Sequence, residues 1–202
     1  MTRYRLIVFL LIGWVLLVAQ SAVAQDENLY AALRAGGVVG LMRHARAPGT
    51  DDPPNFRLGD CATQRNLSAE GREQAAAVGR RLREHGVETA RVVASEWCRC
   101  IDTAELLGLG PVEQQADFNS LVSYPGQGSE MTRRARAWLA AQDLRAMTTL
   151  VVTHQVNIGA LVGSYPQEGE IVVVRPTAEG GLEVIGTIGD QASFPESHAV
   201  QG

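Results

Sequence analysis

The chain has 202 residues, with 22 acidic and 18 basic side chains for a net charge of −4, and every basic residue is arginine. A mildly acidic chain without a long basic block argues against nucleic acid as the main partner. Its length suits one domain with a sizeable core, and clustered arginine suits bidentate pairing with phosphate or carboxylate.

The first element is a targeting pattern. Arg3 and Arg5 precede an apolar stretch from Leu6 to Ala19, and Ala22-Val23-Ala24 gives a small-x-small exit before Gln25. Basic start, apolar middle and Ala-x-Ala exit make a secretory signal, so residues 1–24 are expected to be removed and the mature protein to be periplasmic or secreted. No membrane attachment is then expected; an uncleaved anchor is the alternative, since the stretch is near the lower limit for spanning a bilayer. What remains is about 178 residues, enough for one domain over 25–189. The tail over 190–202, with Ser193, Pro195 and Glu196, reads as disordered.

Glu27 to Ala35 predicts a short helix closed by Gly36-Gly37. The apolar run Val38–Met42 predicts a buried strand leading into Arg43-His44. From Ala47 to Asn66 the chain is rich in Pro, Gly and Asp, a long loop that leaves directly after His44 and is expected to wrap a site there. Ser68 caps a helix over Ala69–His85 with Ala75, Val78 and Leu82 on one face. Arg91–Ala94 is a second strand, Ser95–Arg99 turns into a helix through Leu107, and Val112–Phe118 is ambiguous, with a third strand one reading. Ser129 is expected to cap a helix to about Ala146, with Met131, Ala135, Trp138 and Leu139 on its buried side. Thr149–Thr153 is a strand leading into His154, Val156–Gly163 a short helix, and Ile171–Val174 and Leu182–Ile188 close the sheet. Strands alternating with helices predict a three-layer α/β/α domain with a mostly parallel central sheet.

The cysteines are Cys61, Cys98 and Cys100. Export would permit a disulfide. Cys98 and Cys100 are too close for an easy bridge, so Cys61 with one of them is the pairing expected. Cys98-x-Cys100 lacks the usual zinc spacing, so no metal site is expected.

In a parallel sheet the strand exits lie along one edge. Arg43, His44, Arg99 and His154 are therefore expected around one pocket, where two guanidiniums and two imidazoles would hold a phosphate dianion, with backbone donors from the helix starts near Arg99 and Val156.

These residues also lie in recognisable motifs. Met42-Arg43-His44-Ala45 resembles the Arg-His-Gly motif of the histidine phosphatase (phosphoglycerate mutase-like) superfamily. Gln64-Arg65-Asn66-Leu67-Ser68-Ala69-Glu70-Gly71-Arg72-Glu73-Gln74-Ala75 resembles its N-x-L-[ST]-x-x-G-x-x-Q-A segment. Ser95 to Ala104 resembles its S-x-x-x-R-x-x-x-T-A block, and Thr153-His154 its second-histidine motif. The order matches from Val38 to Gly163; Ala45 stands in place of the family glycine, and Glu96 in place of a common proline.

The resemblance implies a phosphoglycerate mutase-like fold and a phosphomonoesterase acting on a small phosphorylated substrate. His44 would be the nucleophile and become phosphohistidine. Arg43, Arg99 and His154 would bind the phosphoryl oxygens, with no metal or cofactor. The other ring nitrogen of His44 is expected to meet a backbone carbonyl in the loop after it. Asp117 is the candidate proton donor, with Glu168 and Glu170 as weaker ones and no donor as a further possibility. Arg46, Arg65 and Asn157 are placed either at the pocket or in structural roles; His85 and His198 receive none. A binding protein that keeps the pocket without catalysis, or a phosphotransferase or phosphoprotein phosphatase, are the alternative functions.

Overall fold

The buried run Thr149–Thr153 forms the middle of the molecule because its side chains alternate between two apolar layers. In the computed structural model, which describes residues 26–189, Leu150 and Val152 face one core while Val151 faces the other. A strand buried on both faces reads as a continuous apolar run, as this one does. The leader and the tail expected from the sequence lie outside the described residues.

The elements follow in the order α1 (26–35), β1 (Val39–Arg43), α2 (Ala69–Glu84), β2 (Arg91–Ala94), α3 (Cys98–Leu107), β3 (Val112–Gln114), α4 (Gly128–Ala140), β4 (Thr149–Thr153), α5 (Gln155–Val162), β5 (Ile171–Pro176) and β6 (Leu182–Ile188). Short 3-10 turns cover Cys61–Thr63, Ala116–Phe118 and Leu121–Ser123. The sheet order is β3-β2-β4-β1-β5-β6. β3, β2, β4 and β1 are parallel, β5 is antiparallel to β1, and β6 is antiparallel to β5. The sheet is therefore mixed, with its parallel part as expected and a β5–β6 hairpin at one side.

Leu29, Tyr30 and Leu33 of α1 share one core with Val78 and Leu82 of α2 and Ala104 and Leu107 of α3. Ala135 and Leu139 of α4 and Ile158 and Leu161 of α5 share the opposite core with Phe118. Three layers result. Among the described residues no helix is long and apolar enough to cross a membrane.

Two predicted elements differ. The segment Val112–Phe118 splits into a three-residue strand and a 3-10 turn. Helix α4 begins after Gln127 rather than at Ser129 and ends at Ala140, well short of Ala146. Beyond Ala141 the chain turns back, burying Leu144 in the α4 core, and Gly37 N–H donates to the Leu144 carbonyl at 2.7 Å. Burial of Leu144 and that bond outweigh the helix propensity of 141–146.

The topology places the site. The chain leaves β1, passes over β4 to β2 and β3, and returns to fill β4 between β2 and β1. The C-terminal ends of β2, β4 and β1 are thus neighbours, and their exits carry Ser95–Arg99, His154 and His44. This is the crevice position where open α/β sheets bind ligands.

Candidate active site

His44 follows the last residue of β1, and its backbone N–H donates to the Thr153 carbonyl at 3.0 Å, locking the exits of β1 and β4 together. The ring is buried, with Nδ1 2.8 Å from the Ala45 carbonyl oxygen. That bond assigns the proton to Nδ1 and leaves the lone pair on Nε2. Burial pushes the imidazole down to about 3 against the pull of the Ala45 carbonyl, and the guanidiniums of Arg99, Arg65 and Arg43 push the same way. His44 is neutral at physiological pH. Ala45 has a negative φ, as every non-glycine among the described residues does, so the backbone there requires no glycine. Its N–H donates to Thr103 Oγ1 at 3.0 Å, and Thr103 in turn donates to the Arg99 carbonyl at 2.6 Å.

His154 follows β4 and precedes α5. Its ring centroid is 5.6 Å from that of His44, at 69°. Ser95 Oγ lies 2.9 Å from Nε2, while Asn119 Oδ1 accepts from Glu96 N–H at 2.8 Å. Ser95 Oγ donates to Asn119 Oδ1 at 3.2 Å, which leaves its lone pair facing Nε2. Burial, and after it His44 and the surrounding arginines, keep this imidazole well below its ordinary pKa.

These rings form part of a cavity of 360 Å³ into which Arg43, Arg65 and Arg99 also project. Arg43 is half-buried, donates to the Pro166 carbonyl at 3.2 Å and lies 3.5 Å from Glu168. Arg99 is buried near the start of α3. Arg65 donates to the Ala47 carbonyl at 2.5 Å. The Nε atoms of Arg65 and Arg99 are buried without a hydrogen-bond partner. Buried unpaired donors are costly. The structure thus brings His44, Arg43, Arg99 and His154 together, and of the two roles expected for Arg65 it shows the one at the pocket.

It does not bring Asp117 to them. Asp117 sits in the 3-10 turn after β3, where its Oδ1 accepts from Arg134 Nε of α4 at 2.8 Å, and it does not line the cavity. Glu168 Oε1 accepts from Ala47 N–H at 3.3 Å, and Glu170 Oε2 from Gln167 N–H at 2.8 Å; neither lines the cavity. Asn157 bridges the Asn119 carbonyl, at 2.8 Å, and Leu121 N–H, at 3.3 Å, and so braces the segment beside the pocket. Arg46 does not line the cavity either. His85 stacks on Tyr30 with ring centroids 4.0 Å apart and pairs with Glu27. His198 lies outside the described residues.

Asp52 is the site residue that sequence reasoning missed. It comes from the long loop, and its Oδ1 accepts from Arg99 Nη1 at 2.8 Å and from Arg65 N–H at 3.0 Å. Its Oδ2 accepts from Trp97 Nε1 at 2.9 Å. Burial would raise this carboxyl, but the donors of Trp97, Arg65 and Arg99 outweigh it and hold the group below the usual carboxylate range. The one hint in the sequence is an acidic pair, Asp51-Asp52, in a loop that starts at the first histidine.

Cys61 is bonded to Cys98, the first residue of α3, so the loop is fastened beside Arg99. Cys100 is a buried free thiol, 3.6 Å from His154 Nε2 and pushed up to about 12 by burial. Such a thiol is inert. No group of three or more His, Cys, Asp or Glu among the described residues is arranged to hold a metal ion.

Residues 39–121 match the histidine phosphatase superfamily (branch 1). No curated protein matches the chain significantly. Among solved structures, the chain is similar to the protein histidine phosphatase SixA complexed with tungstate, at 17% identity over 76% of this chain and 97% of that one, with a TM-score of 0.53. It is also similar to a mycobacterial glucosyl-3-phosphoglycerate phosphatase complexed with VO3, at 15% identity over 73% and 96%, with a TM-score of 0.54. A third is YhfR of Bacillus stearothermophilus, at 17% identity over 74% and 95%, with a TM-score of 0.55. At these identities the structural likeness is one of fold, phosphoglycerate mutase-like.

Proposed function

We propose that this chain, a member of the histidine phosphatase superfamily, is an exported, metal-independent phosphomonoesterase that carries the phosphoryl group on His44. One observation carries the reading: a neutral imidazole with Nδ1 held by the Ala45 carbonyl presents its remaining nitrogen in a cavity shared with three arginines. Neutral imidazole is the nucleophilic form, and guanidiniums stabilise charge on the phosphoryl oxygens without a metal.

His44 Nε2 attacks phosphorus in line, a P–N bond forms, and the P–O bond to the leaving alcohol breaks. Arg43, Arg65, Arg99 and His154 hold the three equatorial oxygens. Water then attacks phosphorus, the P–N bond breaks, and inorganic phosphate leaves with His44 neutral again. The ion pair of Asp117 with Arg134 supports a mechanism in which the leaving oxygen takes its proton from solvent at the open mouth. The Cys61–Cys98 bond supports export, because disulfides persist in oxidising compartments. The partner is a small phosphorylated molecule and not nucleic acid.

The test is a quenched turnover of an aryl phosphate. Wild type should accumulate acid-labile, base-stable phosphate on the protein, and His44→Ala should accumulate none and lose activity by at least about 10⁴-fold. Wild type that binds phosphate but neither turns over nor labels would mark a binding protein. Asp117→Asn should leave turnover of both good and poor leaving groups within about twofold; a selective loss on poor ones would restore Asp117 as the acid.

A further inference from the structure

We propose that the mouth of the His44 cavity is a subsite for an uncharged, apolar alcohol, so that preferred substrates are monophosphate esters of compact aryl or branched alkyl alcohols rather than esters carrying a second anion. The inference rests on the phosphatase reading of the cavity and names the group that this cavity releases.

Three apolar side chains stand in the cavity wall among the polar Thr50, Ser123 and Gln155. Val122 is 63% exposed and Val156 36% exposed, and both line the cavity. Phe56 lines it too, half-buried and stacked on Trp97 with centroids 5.0 Å apart and planes 16° from parallel. Phe56 comes from the long loop, Val122 from the 3-10 turn Leu121–Ser123 and Val156 from the first turn of α5. The fold, not one apolar stretch, brings them together. Apolar side chains left in water at a cleft forgo about 25 cal/mol for each Å² that a ligand would cover.

Charge completes the argument. The cations of the cavity are Arg43, Arg65 and Arg99, and Asp52 already opposes Arg99 while Glu168 lies 3.5 Å from Arg43. A phosphoryl dianion uses up the positive charge that is left. The remaining charged side chain lining the cavity is Asp51, which is exposed. A second phosphate or a carboxylate on the leaving group would meet that carboxylate and find no further guanidinium. At 360 Å³ the cavity is at the small end of ligand sites, with room for a phosphoryl group and about one ring.

Two readouts test this on the full chain. In hydrolysis, kcat/KM for phenyl phosphate should exceed that for 4-carboxyphenyl phosphate about tenfold, although the carboxylated phenol is the slightly better leaving group. In calorimetric titration, phenylphosphonate should bind more tightly than 4-carboxyphenylphosphonate, and Asp51→Asn should narrow the difference. The pair Val122→Thr and Val156→Thr, nearly isosteric, should weaken phenylphosphonate about fivefold more than inorganic phosphate. Equal or tighter binding of the carboxylated phosphonate, or a Thr variant that binds phenylphosphonate as wild type does, overturns the subsite. The titration needs no turnover. A protein that binds as expected but never hydrolyses keeps the subsite and loses the phosphatase reading; one that hydrolyses without preference does the reverse.

Discussion

Asp52 sets the resting state of the phosphate site, because it is a carboxylate inside a pocket built for an anion. Its side chain is 13% exposed and that of Arg99 4%, so the pair is largely out of water. Asp52→Asn keeps an acceptor but leaves the Arg99 charge unbalanced, and we expect a loss of about 1–3 kcal/mol in stability. An anion that binds the folded state should then return part of that loss by mass action. Melting with and without saturating phosphate checks this: the rise in Tm should be larger for Asp52→Asn than for wild type, and equal rises would show that Asp52 does not balance Arg99. The sequence made His44, Arg43, Arg99 and His154 legible because each stands at a strand exit or inside a motif of fixed spacing. Asp52 and Asp117 were not, and for a common reason. What a loop carboxylate does depends on which arginine reaches it in space. Asp117 has Arg134, seventeen positions on, and Asp52 has Arg99, forty-seven positions on.

The loop from Ala47 to Asn66 behaves as part of the scaffold, since the bond from Cys61 to Cys98 ties it to the start of α3. It closes a segment of 37 residues, for which cross-linking is worth about 2–4 kcal/mol. Cys61→Ser should lower stability by that amount and also lower kcat/KM, because Asp52 and Phe56 ride on the freed loop. Melting and kinetics in the presence and absence of reductant check it: wild type under reductant should approach the variant, and a wild type indifferent to full reduction would show that the bond holds nothing at the site. Helix α2 adds a second restraint. A Cβ at Gly71 would lie 2.1 Å from the Arg46 carbonyl, so only glycine lets the helix pass this close to the chain leaving His44. The helices and strands were legible from period and capping, with Ser68 accepting from Gly71 N–H at 3.1 Å as a capping residue should. The end of α4 was not, because a buried contact at Leu144, not a breaker residue, stops it.

For the whole molecule the two buried imidazoles link folding to pH. The unfolded chain protonates a histidine near 6.5, whereas folded His44 does so at about 3 and His154 well below 6.5. Between those values the unfolded state binds more protons, so stability rises with pH and falls as pH drops below about 6.5. His44 contributes about 1.4 kcal/mol per pH unit across that window, and His154 adds to it in the same direction. Tm measured from pH 7.5 to 4.5 should fall steadily, and His44→Gln should flatten the fall; a profile level to pH 4.5 would contradict the buried, neutral state of both rings. The asymmetry of the sheet, parallel on one side and closed by a hairpin on the other, was legible only as strands, since nothing local to Ile171–Val174 says which neighbour it pairs with or in which direction.

The residues before the two histidines, Arg43 and Thr153, are partners in the β1–β4 register. His44 and His154 therefore leave the sheet side by side, and the gap between them is inherited from interstrand spacing, about 4.8 Å. The backbone ladder acts as a ruler, and no side chain has to be chosen to set that distance. Loops around the mouth can change in length and composition while the phosphate end keeps its dimensions. New leaving-group preferences can then be grafted onto this scaffold by exchanging 121–127, with Asp52, Arg65 and the Cys61–Cys98 bond of the long loop kept.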